Sequence, residues 1–170
     1  MLNKLITSKT RLRLLIKFFI NQTNSGYLNG LASEFNESTN SIRKELNHLS
    51  EAGYLEKYKD HNKIGYKANV GHPLFDMLQK VVHRHLGLEE IVERVLERMG
   101  PVQKILLFGD YAEGLDSGTI EVVLIGNKLN TEYIEALEEK IEDVINRKVN
   151  FYLASKSNPN QKHIVLYESY

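Results

Sequence analysis

The stretch S38-T-N-S-I-R-K-E-L-N-H-L-S-E-A-G-Y-L-E-K-Y58 holds a capped helix, a glycine stop and the start of a strand. Ile42, Leu46 and Leu49 recur at helical spacing, which predicts a buried stripe on a helix over Thr39–Ala52. Ser38 stands where a hydroxyl accepts an orphan backbone N–H at a helix start, and Gly53, free to take positive φ, ends the helix. The residues left outside are Thr39, Asn40, Ser41, Arg43, Lys44 and Asn47, a small-polar and cationic face suited to phosphates and base edges. Upstream, Leu28, Leu31, Ala32 and Phe35 at i, i+3, i+4 and i+7 predict a partner helix over Tyr27–Phe35, with Asn36 taking the left-handed conformation of a sharp turn. Downstream, Leu55–Ala68 reads as a hairpin. Ile64, Tyr66 and Ala68 alternate with Gly65 and Lys67, Asp60, His61 and Asn62 supply the turn, and Lys57, Lys59 and Lys63 are expected to line the exposed side. Helix, turn and helix make a helix-turn-helix pattern, and the basic hairpin strengthens it.

These residues resemble the winged helix-turn-helix of the ArsR-like bacterial regulators, the helix-to-wing junction L49-S-E-A-G-Y-L55 and the wing end I64-G-Y-K67 being the matching features. The resemblance implies binding of double-stranded DNA, with Thr39, Asn40, Ser41, Arg43, Lys44 and Asn47 in the major groove and Lys57, Lys59 and Lys63 on phosphate or in the minor groove. Arg43 is the candidate for guanine and Asn40 for adenine. A winged helix used only for protein contact is the alternative.

With 170 residues and 42% hydrophobic content, the chain has room for one medium or two small domains of a soluble protein. It contains no cysteine, which rules out disulfides and thiolate metal sites and points to a cytoplasmic location. In the first twenty residues Lys4, Lys9, Arg11, Arg13 and Lys17 interrupt every apolar run, which excludes a membrane span there and argues against a signal peptide. Net charge is zero, but residues 1–72 carry +5 and residues 73–170 carry −5. That dipolar layout fits a basic module facing phosphate joined to an acidic one.

Ahead of the motif, Leu12, Leu14, Leu15, Ile16, Phe18, Phe19 and Ile20 predict a supporting helix. After the wing, Gly71-His72-Pro73 is a breaker cluster. A helix over Leu74–Leu86 follows, with Leu74, Leu78 and Val81 on one stripe and Phe75 and Val82 beside it, a surface wide enough to suggest contact with the second domain or with a twin subunit in a homodimer. His83 and His85, two apart on a helix, point to opposite sides and do not form a chelating pair. A helix over Leu88–Met99, stopped by Gly100-Pro101, precedes strands at Ile105–Phe108 and Ile120–Ile125. Thr131 is expected to cap a helix striped by Ile134, Leu137, Ile141 and Val144. A strand at Lys148–Leu153, a polar loop containing Pro159 and a short strand at His163–Tyr167 complete the chain. The expected architecture is therefore α+β: a winged helix-turn-helix over residues 1–70, a linker and dimerisation helix over 71–87, and a small α/β domain over 88–170.

The second domain has its own motif, F108-G-D-Y-A-E-G114 followed by L115-D-S-G-T-I-E-V-V-L-I125. It resembles the minimal nucleotidyltransferases of the polymerase-β superfamily, whose pattern is F-G-S-x-A-R-G, a short loop, S-D-I-D-L-L-V and a third carboxylate on a later strand. The resemblance spans roughly residues 88–153, with Gly109 and Gly114 matching. It implies a pocket built by Gly109, Asp110, Gly114, Thr119, Glu121 and Asn150. Asp110 stands in place of the phosphate-contacting serine, Glu113 in place of the arginine, and Thr119 and Asn150 in place of the first and third metal carboxylates. A lone Glu121 does not suffice for two Mg²⁺ ions, which demand several anionic oxygens. The expectation is a fold of this kind without catalysis, cofactor or metal, serving dimerisation, partner docking or sensing of a small-molecule or protein effector. The rival is a working nucleotidyltransferase that recruits Asp110, Asp116 and Glu121 as its metal set.

Overall fold

The structure, a computed structural model, describes residues 2–158 and 160–170, so Pro159 of the expected polar loop lies outside the described residues. The fold is α+β and divides into two compact units, Met1–Val82 and His83–Tyr170. The division falls inside the helix that follows the Gly71-His72-Pro73 cluster.

In the first unit, α1 (Leu2–Leu5) and α2 (Lys9–Phe19) lead into β1 (Ser25–Tyr27), α3 (Leu28–Phe35), α4 (Thr39–Glu51), β2 (Leu55–Asp60) and β3 (Lys63–Ala68). Ser8 caps α2 by accepting the Arg11 N–H at 3.2 Å. Asn36 does take the left-handed conformation, φ 52°, and Ser38 caps α4 by accepting the Ser41 N–H at 3.2 Å. Gly53 follows α4 at φ 81°. Leu14, Phe18, Phe19, Leu31, Ile42 and Leu46 are at most 1% exposed and form the core, each such side chain contributing about 1.5–3 kcal/mol on burial.

Two sequence expectations change here. Tyr27, expected to open the helix, instead ends a strand, Ser25–Tyr27, which pairs antiparallel with β3 and gives the hairpin a third strand in the order β1-β3-β2. Leu74 precedes the next helix, α5 (Phe75–Leu86), and is 39% exposed, whereas Phe75, Val82 and Leu86 are the buried positions. The stripe lies about one residue away from the one expected because Phe75 closes on Phe19, ring centroids 5.7 Å apart.

The second unit contains the end of α5, α6 (Leu88–Arg98), β4 (Val102–Phe108), the single turn α7 (Gly109–Ala112), β5 (Thr119–Gly126), α8 (Ile134–Ile145), β6 (Lys148–Ala154) and β7 (Ile164–Glu168). Its sheet runs β6-β5-β4-β7, with β6 parallel to β5 and the other pairs antiparallel. Ile105, Leu107, Ile120, Val122, Leu124 and Val149 are fully buried on one face. The opposite face carries a smaller cluster of Leu106, Phe108 and Ile125.

Thr131 does not cap α8. It opens a 3-10 turn, Thr131–Tyr133, that leads into the helix, and no side-chain cap bond is made. Val144, expected on the buried stripe, is 57% exposed; Leu137 and Ile141 carry the packing. Among the described residues no helix is long and apolar enough to cross a membrane.

Candidate nucleic-acid interface and the strand-turn motif

The outer face of α4 is built by subtraction. Ile42, Leu46 and Leu49 point inward, and so does Glu45, 7% exposed. Thr39, Asn40, Ser41, Arg43 and Lys44 are exposed, and Asn47 is half-buried. Arg43 Nη1 donates to Asn40 Oδ1 at 3.1 Å, tying the two base-reading candidates together while leaving the other guanidinium donors open.

Three cations of α2 are engaged by carboxylates of the fold. Arg11 Nε reaches Glu45 Oε2 at 2.8 Å, Arg13 reaches Glu37 at 3.2 Å, and Lys17 reaches Glu34 at 2.7 Å. These pairs fasten α2 to α3, to α4 and to the turn between them. Arg43, Lys44, Lys57, Lys59 and Lys63 are all exposed, as are Lys4, Lys9, Lys67 and Lys80 of the same unit.

The wing departs from expectation in how its lysines are divided. Directly opposed residues of an antiparallel pair share a face, and the pairs here are Lys57↔Tyr66, Lys59↔Ile64 and Asp60↔Lys63. Lys57 and Lys59 therefore share a face with Leu55, Tyr66 and Ala68, while Lys63 lies on the other with Glu56, Tyr58 and Asp60. Ile64, expected at the buried end of the alternation, is 52% exposed near the hairpin tip. The core ends before the strands do. On the Lys63 face, Tyr58 lies over Gly65 so closely that a Cβ there would overlap its ring. Tyr27 packs against Tyr58 edge-on and donates its hydroxyl to Asp60, bracing the tip from β1.

In the second unit, Phe108, Glu121 and Asn150 are aligned across β4, β5 and β6. Thr119 sits two residues along the same strand face as Glu121, and Gly109 turns the chain at φ 69° directly after Phe108. The Glu121 carboxylate packs on Gly109, where a Cβ would overlap it. Asp110 and Asn150 are exposed, and Gly114 closes the turn at φ 88°. The structure thus gathers Gly109, Glu121 and Asn150, with Thr119 adjacent. The connection from β6 to β7 brings His163 against the Phe108 ring, centroids 5.4 Å apart, and Lys162 to 3.3 Å from Glu113.

Asp116 is engaged elsewhere. Arg147 grips it with Nε at 2.9 Å and Nη2 at 2.8 Å, and the Tyr111 hydroxyl donates to it. Tyr111 in turn accepts the Gly118 N–H at 2.9 Å, and Arg147 Nη1 donates to the His85 carbonyl at 3.3 Å. Burial pushes the Asp116 carboxyl up, but the Arg147 and Tyr111 hydrogen bonds outweigh it and hold the group below its ordinary value. Burial and Asp116 together push the Tyr111 phenol up. Among the described residues no three His, Asp or Glu side chains gather to hold a metal ion, so Asp110, Asp116 and Glu121 are not brought together as such a set.

Sequence reasoning missed Arg147. Its signal was Asn146, a left-handed helix terminator at φ 57° that turns the next side chain back toward the loop after α7.

No family model and no curated protein matches the chain. Solved structures similar to parts of it are of two kinds. Reduced HlyU from Vibrio cholerae N16961 shares 19% identity over 49% of this chain and 82% of its own, with a TM-score of 0.39. The AntR antimony-specific transcriptional repressor shares 22% over 55% of this chain and 78% of its own, at 0.41. A Shewanella oneidensis complex of tri-AMPylated HEPN toxin with MNT antitoxin shares 16% over 51% of this chain and 73% of its own, at 0.40.

Proposed function

We propose that this chain is a DNA-binding transcriptional regulator that reads duplex DNA through α4 and the hairpin, with its second unit a non-catalytic nucleotidyltransferase-like module. The observation that carries it is the segregation of charge in the first unit. Arg11, Arg13 and Lys17 are engaged by Glu45, Glu37 and Glu34, while Arg43, Lys44, Lys57, Lys59 and Lys63 stand exposed on the reading helix and the wing. Groups free to meet phosphates supply most non-specific affinity, and a helix of small polar and amide residues admits close approach to base edges. Fluorescence anisotropy with labelled duplex tests it: an Arg43→Ala, Lys44→Ala double variant should bind at least about tenfold more weakly, and equal binding would overturn the assignment.

In this reading the protein acts as a homodimer, its two wings matching a two-fold operator, and works in the cytoplasm. Val70, Leu74 and Met77, exposed around the start of α5, are candidates for that contact. The second unit is proposed to dock a partner or sense an effector. Its lone carboxylate over Gly109 and the commitment of Asp116 to Arg147 favour this over nucleotidyl transfer. Incubation with labelled ATP and Mg²⁺ separates the two: covalent labelling abolished by Glu121→Ala would establish the enzyme reading instead.

A further inference from the structure

The hairpin carries an apolar side chain where its electrostatic role needs none. At the base of the sheet, Leu55, Tyr66 and Ala68 are 3%, 7% and 3% exposed, because this face packs on the helices. Toward the tip the same face continues with Lys57, Lys59 and Ile64, beyond the reach of the core, and Ile64 is 52% exposed directly opposite Lys59. The tip is also held firmly. Tyr58 covers Gly65, Tyr27 binds Asp60, and the Lys63 ammonium sits 5.6 Å from the Tyr27 ring centre. An exposed branched aliphatic on the strand just after a braced two-residue turn, with lysines beside it on both faces, suits a narrow anionic groove with an apolar floor and wall.

We propose that Ile64 is a wedge that enters the DNA minor groove, flanked by lysines on the phosphates, and partly unstacks a flexible base step. Aliphatic side chains inserted in this way kink duplexes by about 20–90°, most cheaply at pyrimidine–purine steps such as TA. The wedge rests on the DNA-binding reading but adds to it. It supplies sequence preference through DNA deformability at positions that α4 does not touch. Lysine contacts would set the salt dependence, and Ile64 would set the bend.

The experiment uses the full chain and end-labelled duplexes of about 30 base pairs, one carrying central TA steps and one an A-tract, with energy transfer between the ends reporting bending. The parent should bind both, bend the TA duplex, and prefer it. Ile64→Ala should leave the TA duplex straight and bind it about tenfold more weakly, with the slope of log affinity against log salt unchanged, since no cation is lost. Ile64→Phe should restore the bend, and Lys59→Ala should lower the salt slope while keeping it. Binding by the parent without bending, or equal bending by Ile64→Ala, would overturn the wedge and leave the DNA-binding reading standing. A parent that binds no duplex would overturn both.

Discussion

Arg147 and Asp116 form a two-pronged ion pair, 2.9 and 2.8 Å, that locks the loop after α7 to the end of α8. The side chains are only 15% and 28% exposed, so removing one partner strands the other in a poorly solvated place. Arg147→Ala or Asp116→Ala should lower the stability of the chain by about 2–4 kcal/mol, read from urea unfolding. The pH dependence has a definite sign. Because the folded Asp116 carboxyl sits below its ordinary value, its contribution is fully present above pH about 4 and is lost as pH falls through the folded value. Asp116→Asn should therefore flatten the acid limb of the stability profile.

Glu138 and Glu142 of α8 accept the Phe151 and Val149 N–H groups of β6, each at 3.0 Å. Since β6 is an edge strand, the helix acids take the place of a neighbouring strand. Changing both to alanine should cost about 1–3 kcal/mol per orphaned donor and, at high protein concentration, promote self-association visible by light scattering.

Gly87 precedes α6 at φ 83°, and a Cβ on it would run into the Ile145 side chain. Gly87→Ala combines backbone strain with overlap in a packed region. A loss of about 2–4 kcal/mol in thermal or urea unfolding is expected.

The helix faces were legible from the sequence where one period ran uninterrupted. Ile42, Leu46 and Leu49 announce their buried stripe, and so do Leu88, Ile91, Val92, Val95 and Met99, of which only Val92 stays half-buried; Asn36, Ser38 and Gly53 announce the turns of the first unit. The exposed residues of α4 followed from the same arithmetic. What eluded sequence reading depends on contacts between distant segments. The strand at Ser25–Tyr27 exists only because β3 lies beside it. Lys63 parts from Lys57 and Lys59 because pairing register, not composition, sets the face. Asp116 looked like a candidate metal ligand because nothing local revealed Arg147, thirty-one residues on. Nor does anything local to Glu138 and Glu142 of α8 reveal that they complete the sheet.

Each wing lysine in contact with phosphate should add about one unit to the salt slope of binding. Lys57→Ala and Lys59→Ala, on one face of the hairpin, should act together. Lys63→Ala, on the other face and beside the Tyr27 ring, tests whether both faces reach the backbone. Affinity measured from about 50 to 200 mM salt reads the slopes.

The most direct test of the central claim is selection of binding sites by the full chain from a pool of random duplex DNA. The account predicts enrichment of a two-fold symmetric site, bound at least about a thousandfold more tightly than unrelated duplex, and loss of that enrichment in the Arg43→Ala, Lys44→Ala variant. A pool that emerges unenriched, or an enriched site bound equally well by the variant, would contradict it.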